Sequence, residues 1–118
     1  PEEHGEPLQG QRYAPGQEFK AHTDTFEPSR ADYYVHCADS GQRTWTAMCY
    51  LNDVEDGGAT RFKTINKTIQ PERGKLLAWN NLLPDGRPNP ATLHQGMKVR
   101  RGTKYIMTKW YRELPFVG

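Results

Sequence analysis

The sequence has little of what would place it in several large classes of protein. Its two cysteines, Cys37 and Cys49, are too few for a disulfide scaffold and predict two ordinary thiols. No apolar run approaches the length of a transmembrane span or of a signal-peptide core. The net charge is only +2, and lysine and arginine form no block. We therefore expect neither nucleic acid nor a membrane as a partner, and a cytoplasmic location, or the endoplasmic reticulum or secretory lumen in a eukaryote.

Apolar residues are also scarce, at 35% of 118 residues, with a mean hydropathy of -0.92. The length suits one small domain with a modest core. We predict a single domain over residues 1–118, in which the polar residues 1–10 form a loop or a disordered terminus. Such a composition indicates either that much polar surface is used in the interior or that part of the fold lies outside this chain.

Convincing helical periodicity is missing as well, since no stretch of ten or more residues repeats apolar positions every 3.6 residues. Short runs rich in strand formers alternate instead with Gly and Pro turns, which predicts an all-β sandwich or jelly roll. Residues 29–42 read as a loop with a short extended piece, and residues 81–91 as a loop. The predicted strands are 18–26, 43–52, 59–62, 67–71, 75–80, 92–99 and 103–114.

The stretch "FKAHTDTF" carries a histidine and a carboxylate two residues apart. On a strand, His22 and Asp24 project to the same face and lie side by side. A neutral imidazole beside a carboxylate can bind a metal, or the two can form a hydrogen-bonded pair. By itself the pair does not decide between these alternatives.

A second histidine on another predicted strand, His94, favours the metal. Two histidines and one carboxylate form the facial triad of non-haem Fe(II) oxygenases, which leaves positions open for a co-substrate and O2. A structural zinc site would instead be a closed tetrahedron, usually with cysteine. A catalytic zinc site of a hydrolase remains open at this point.

Lys104 lies on the last predicted strand and shares a face with Ile106, Thr108 and Trp110. Burying a lysine on such a face is costly unless it meets an anion. The alternative is that this face is exposed and that Tyr105 and its neighbours point inward. The alternation alone does not decide which face is buried.

Four motifs taken together resemble the catalytic domain of the prolyl 4-hydroxylases, which are Fe(II)- and 2-oxoglutarate-dependent dioxygenases. The motifs are "YAPGQEFKAHTD", "RTWTAMCYLNDVEDGGATRF", "PERGKLLAW" and "LHQGMKVRRGTKYIMTKWY", and the match runs from about residue 11 to residue 113. The resemblance implies a double-stranded β-helix, a jelly roll whose sheets enclose the iron. It also implies that supporting N-terminal helices of the family are absent from this chain.

The resemblance implies that Fe(II) is held by His22, Asp24 and His94. It implies 2-oxoglutarate and O2 as co-substrates, with ascorbate as a further cofactor and succinate and CO2 as products. The implied partner is a peptide or protein that contains proline. The alternatives are the same chemistry on a free amino acid or small molecule, or a jelly-roll binding module without catalysis.

Further positions of the co-substrate pocket follow from the same resemblance. Lys104 matches the lysine that binds the distal carboxylate of 2-oxoglutarate, and Tyr13 the tyrosine that hydrogen-bonds it. Thr60 matches a position that lines this pocket, and Trp110 a tryptophan near the active site. Arg43 opens the most apolar predicted strand, and we expect it to line the mouth of the site.

Two segments depart from the family pattern. After His94, residues 95–98 read Gln-Gly-Met-Lys where the family often has a Cys-Pro pair, which predicts an altered rim. The loop "NLLPDGRPNPA" replaces a stretch often tied to the substrate mouth, and we expect it to fold over an extended substrate. A proline-rich peptide would dock against aromatics such as Trp110 or Tyr50.

Overall fold

The fold is described by a computed structural model that covers residues 1–30 and 32–117. Ala31, inside the segment 29–42 considered above, and Gly118 lie outside the described residues. Strands dominate: β1 Gln9–Tyr13, β2 Phe19–His22, β3 Arg43–Tyr50, β4 Asp56–Gly57, β5 Thr60–Phe62, β6 Lys67–Ile69, β7 Leu76–Asn80, β8 His94–Gly96, β9 Val99–Arg101 and β10 Lys104–Arg112. The helical elements are α1 Tyr33–Cys37 and two 3-10 helices, Glu2–His4 and Pro90–Thr92.

The strands form two four-stranded antiparallel sheets, which confirms the predicted jelly roll. The first sheet has the order β1-β10-β3-β7, and the second has the order β2-β8-β5-β6. A two-stranded ribbon of β4 and β9 completes the fold. Strands that are neighbours in a sheet are mostly distant in sequence, so residues from both ends of the chain meet in one interior.

The core lies between the two sheets and contains few residues. It consists of Met48, Tyr50, Phe62, Trp79 and Ile106. Phe62 comes from the second sheet and meets the Trp79 ring of the first sheet edge to face, with ring centroids 5.2 Å apart. The core therefore fills only part of the space between the sheets, and the rest is lined by polar side chains.

The predicted strand at residues 18–26 is longer than the real one. Strand β2 ends at His22, and Asp24 lies beyond it, where the first sheet binds its carboxylate. The predicted strand 92–99 is divided, because β8 pairs with β5 whereas β9 pairs with β4. A strand that changes partners this way looks continuous in the sequence.

Two segments predicted to be irregular contain short helices. The segment 29–42 contains the five-residue helix α1, which is too short to show a helical period. Residues 1–10, predicted as a loop or disordered terminus, contain a 3-10 helix and the first two residues of β1. Among the described residues, no helix is long and apolar enough to cross a membrane.

Candidate active site

A cavity of about 350 Å³ opens between the two four-stranded sheets. All eight residues that the sequence predicted for the site line it: Tyr13, His22, Asp24, Arg43, Thr60, His94, Lys104 and Trp110. They come from both sheets and from the segment after β2. The fold thus brings together residues that the sequence separates by up to most of its length.

The two histidines are direct cross-strand partners in the second sheet, and their ring centroids are 4.4 Å apart. His22 Nδ1 lies 2.8 Å from the carbonyl oxygen of Lys20, and His94 Nδ1 lies 2.7 Å from that of Thr92. A carbonyl oxygen can only accept, so each Nδ1 carries the proton. Each Nε2 therefore faces Asp24, and in the neutral imidazole it offers the lone pair that metal binding requires.

The Asp24 carboxylate divides its two oxygens between two tasks. Oδ1 lies 3.3 Å from His22 Nε2 and 3.5 Å from His94 Nε2. Oδ2 accepts hydrogen bonds from Thr46 Oγ1 at 2.7 Å and Trp110 Nε1 at 3.2 Å. The first sheet therefore holds Asp24 by one oxygen and leaves the other toward the histidines.

These three side chains fit a divalent metal ion. Their ligand atoms all lie within 4.8 Å of one another. The donor set is two neutral imidazoles and a carboxylate on one side of a cavity, which suits Fe(II) with open positions. The alternative of a simple hydrogen-bonded pair does not account for His94, whose Nε2 faces the same carboxylate oxygen.

The electrostatics keep Asp24 ionised. Burial raises its pKa, but the hydrogen bond from His22, the charge of His94 and the donors Thr46 and Trp110 outweigh burial and lower the pKa to about 2. Burial lowers the pKa of His22, but the bonds to Asp24 and the Lys20 carbonyl raise it overall. Burial dominates for His94 and lowers its pKa. Thus one histidine is biased toward the neutral form, as ligation requires.

Lys104 points into the cavity, which decides between the two faces of β10. Its side chain is only 3% exposed, whereas the next residue, Tyr105, is 43% exposed. The ammonium lies 5.0 Å from the Tyr13 ring centroid and 5.8 Å from that of Tyr50. In the described part of the chain no carboxylate lies within ion-pair distance. Burial lowers the pKa of Lys104 to about 8.

Two glycines that the sequence analysis did not single out shape the space around this lysine. A Cβ atom at Gly58 would lie 3.2 Å from Lys104 Cδ, and one at Gly96 would lie 3.3 Å from Phe19 Cβ and 3.7 Å from Lys104 Nζ. Gly58 also has a φ of +77°, which an L side chain rarely adopts. The only available signals were the "GG" pair and the glycine two residues after His94.

Thr60 lies on the cavity wall, and its hydroxyl contacts that of Tyr50 behind it. The two hydroxyl oxygens are 2.5 Å apart, and the Tyr50 hydroxyl also donates to the Ile69 carbonyl at 3.3 Å. Tyr50 is 0% exposed, so the expectation that it docks a peptide is wrong. Tyr13 is half-buried on the same wall, and burial raises the pKa of its phenol, which keeps it a neutral donor.

Arg43 lies at the mouth of the cavity, where it is already paired. Its guanidinium donates to both carboxylate oxygens of Glu6, at 2.7 and 3.1 Å. It also stacks over the ring of Trp110 at 4.0 Å and over that of Phe26 at 4.8 Å. The Arg43–Glu6 ion pair thus orients the Trp110 ring, whose indole N–H donates to Asp24.

The loop 81–91 does not cover the cavity. It forms a tight turn, in which Leu82 bridges to Pro88 and Leu83 N–H donates to the Arg87 carbonyl. None of its residues is among those that line the cavity in the described chain. Its C-terminal end enters the 3-10 helix Pro90–Thr92, which ends two residues before His94.

Comparison with known proteins places this geometry in a family. Residues 8–112 match the family described as the 2OG-Fe(II) oxygenase superfamily. The chain belongs to that superfamily. The expected enzyme class, a 2-oxoglutarate-dependent dioxygenase, is thereby confirmed at the level of the family.

Individual relatives sharpen the resemblance. The chain is 33% identical to "Probable prolyl 4-hydroxylase 3" of Arabidopsis thaliana, with 93% of this chain and 43% of that protein covered. It is 32% identical to "Prolyl 4-hydroxylase subunit alpha-1" of Gallus gallus, with 92% and 21% covered. The chain thus spans less than half the length of these relatives.

A solved structure agrees with them. The viral collagen prolyl hydroxylase vCPH from Paramecium Bursaria Chlorella virus-1, in complex with 2OG, superimposes with a TM-score of 0.79 at 33% identity. The match covers 92% of this chain and 59% of that one. A cupin protein from Desulfovibrio desulfuricans, 13% identical with a TM-score of 0.53, shares the fold alone.

Proposed function

We propose that this protein is an Fe(II)- and 2-oxoglutarate-dependent dioxygenase that hydroxylates prolyl residues within peptides. One observation carries the proposal: a cluster of two histidines and one carboxylate lies in the same cavity as a buried lysine. Among the described residues, that lysine has no carboxylate partner. A zinc hydrolase has no use for Lys104. A binding module without catalysis needs neither feature.

In this proposal, His22, Asp24 and His94 hold the metal through the three atoms that face one another. Fe(II), when bound, supplies the activation of O2. One oxygen atom enters succinate as 2-oxoglutarate loses CO2, and the other oxygen atom enters a C–H bond. Three protein ligands leave positions open for the co-substrate and O2. The Nδ1 hydrogen bonds fix both imidazole rings, so the ligand geometry is organised before binding.

Lys104 then serves as the counter-charge for the distal carboxylate of 2-oxoglutarate. An ammonium that is already desolvated loses little further hydration when an anion arrives. Tyr13 lies on the same wall and supplies a phenol donor, and Thr60 closes that wall with Tyr50 behind it. Anchoring the far end of the co-substrate sets the angle at which its near end meets the metal.

The mouth suits an extended peptide better than a free amino acid. Phe19 is 43% exposed and stacks on the His22 ring, with ring centroids 4.0 Å apart. Phe26 and Trp110 line the same cavity, and such rings suit the preformed polyproline II helix. A free amino acid would need charged groups for its amine and carboxylate, but Arg43 and Glu6 are paired with each other.

The test is turnover on peptide libraries with and without proline, incubated with Fe(II), ascorbate and 2-oxoglutarate. We expect a gain of one oxygen atom on proline peptides, with one succinate formed per hydroxylation. Oxygen gain on free proline but on no proline peptide would favour the small-molecule alternative, and 2-oxoglutarate bound without any succinate would favour the binding module. Ascorbate dependence, tested by omission, stays a prediction.

A further inference from the structure

Asn81 is a fully buried residue that immediately follows β7 and does not line the cavity. Its backbone is fixed on both sides, since its N–H donates to the Thr44 carbonyl at 2.7 Å and its carbonyl accepts from Asn89 N–H at 2.9 Å. Its side-chain Nδ2 donates to Thr46 Oγ1 at 2.9 Å. A buried amide held in this way has one orientation.

Thr46 connects this amide to the metal-binding carboxylate. Its hydroxyl is buried and has one proton to donate, and its oxygen lies 2.7 Å from Asp24 Oδ2. Asp24 is ionised and can only accept, so the proton points at Oδ2. The oxygen of the hydroxyl is then free to accept from Asn81, and the hydrogen bonds run in one direction from Asn81 through Thr46 to Asp24.

The unpartnered oxygen of the amide supports this direction. Asn81 Oδ1 is buried and has no hydrogen-bond partner within the described part of the chain. Rotating the amide by 180° would give that oxygen the Thr46 proton, but it would leave Asp24 Oδ2 facing a hydroxyl lone pair. Leaving a buried acceptor unpaired is costly, and such a cost is usually found where another requirement is met.

We infer that Asn81 is a positioning residue for the metal site, acting through the Thr46 hydroxyl to hold Asp24 by Oδ2 and present Oδ1 to the metal. This inference rests on the proposed function. Without the Asn81 donor the direction of the hydroxyl is no longer fixed, and Oδ2 then keeps the Trp110 indole as its other hydrogen-bond donor. Partners of this kind typically change metal affinity by about 10- to 100-fold.

The experiment compares Asn81→Leu with Asn80→Leu by Mn(II) titration followed by electron paramagnetic resonance, without co-substrate. Asn80 is the exposed last residue of β7, immediately before Asn81, so it controls for the same chemical change one position away. We expect about 10-fold weaker Mn(II) binding for Asn81→Leu and no change for Asn80→Leu. Asn81→Ala, a smaller change with the same expected loss, replaces Asn81→Leu if that variant does not fold.

A double-mutant cycle tells positioning through Thr46 from a general structural effect. Thr46→Val removes the hydroxyl and should weaken Mn(II) binding, whereas Thr46→Ser keeps the hydroxyl and should restore it. Adding Asn81→Leu to Thr46→Val should cause little further loss, because the path is already broken. Additive losses, or a folded Asn81 variant with Mn(II) affinity within about twofold of the wild type, would overturn the inference alone. A wild-type protein that binds no Mn(II) would overturn the proposed function with it.

Discussion

The two ends of the cavity treat charge in opposite ways. At the metal end, the negative charge of Asp24 is surrounded by partners: two histidines, a hydroxyl and an indole N–H. At the other end, the positive charge of Lys104 lies near the rings of Tyr13 and Tyr50, with no carboxylate within ion-pair distance among the described residues, and burial lowers its pKa to about 8. The metal end is assembled in advance, whereas the lysine end is complete only when an anion arrives.

Removing a histidine of the metal end should have the largest effect. We expect His22→Ala or His94→Ala to abolish metal binding and turnover, because each removes a ligand atom. The loss should exceed the about 10- to 100-fold seen when only a partner of a ligand is lost. Asp24→Ala should retain some metal, since both imidazoles remain. Mn(II) titration measures this directly.

The control for the histidine variants is His4→Ala, which removes a histidine away from the cavity and should leave Mn(II) binding intact. Near-normal metal affinity in either His22→Ala or His94→Ala would contradict the assignment of the triad.

Removing the charge of Lys104 should weaken co-substrate binding much more than metal binding. Lys104→Ala should weaken 2-oxoglutarate binding by roughly 2–5 kcal/mol, or about 30- to 5,000-fold, with metal affinity much less affected. Lys104→Arg should rescue it only partly, because the guanidinium is longer and planar and Gly58 already packs closely on the lysine stem. Calorimetric titration with 2-oxoglutarate in the presence of Mn(II) gives the first affinity, and Mn(II) titration without co-substrate gives the second.

Lys67→Ala, at an exposed position on β6, is the matched control and should change neither affinity. If Lys104→Ala binds 2-oxoglutarate as the wild type does, the ammonium is not its anchor and the contrast between the two ends disappears.

The sequence was sufficient to predict the parts of both ends that carry distinctive chemistry. His22, Asp24 and His94 are recognisable because histidine and carboxylate at strand spacing suit a metal, and the motif set predicted Lys104 and the jelly roll. The inward direction of Lys104 could not be decided from alternation, because both faces of β10 carry large side chains. Pairing with β1 and β3 on either side determines it.

The supporting residues could not be predicted, since their roles arise from partners distant in sequence. Thr46 resembles any strand threonine and Asn81 any loop asparagine, yet they meet only because β3 pairs with β7. Gly58 and Gly96 leave room for the lysine because they have no side chain, and the sequence does not show where such room is needed. The same reason explains why Asp24 was expected within a strand, whereas bonds to the opposite sheet hold it beyond the strand end.

Replacing Lys104 by an apolar residue should stabilise the fold while it impairs the site. In the folded protein the pKa of Lys104 is about 8, below its ordinary value of 10.5, so the unfolded chain binds more protons between these values. Wild-type stability should therefore rise with pH across this window. Below pH 8 we expect Lys104→Met to gain up to about 3 kcal/mol in the free energy of unfolding, and the gain to vanish toward pH 10.5.

Urea unfolding at several pH values, without metal or co-substrate, measures this gain in the free energy of unfolding. A Lys104→Met variant that is less stable than the wild type at pH 7 would contradict the unpaired charge.

The smallest effect we expect is on the pH dependence of co-substrate binding. Because the pKa of Lys104 in the free protein is about 8, the ammonium is largely charged at pH 7 and mostly neutral at pH 8.5. If only the charged form binds the distal carboxylate, 2-oxoglutarate affinity should fall about fourfold between these two pH values. Metal affinity should not fall over the same interval, because ligand imidazoles bind metal in their neutral form.

The control is Lys104→Arg, which keeps its charge throughout and should bind 2-oxoglutarate weakly but equally at both pH values. The same fourfold fall in Lys104→Arg would assign the titration to another group and leave the lysine end without its predicted sensitivity.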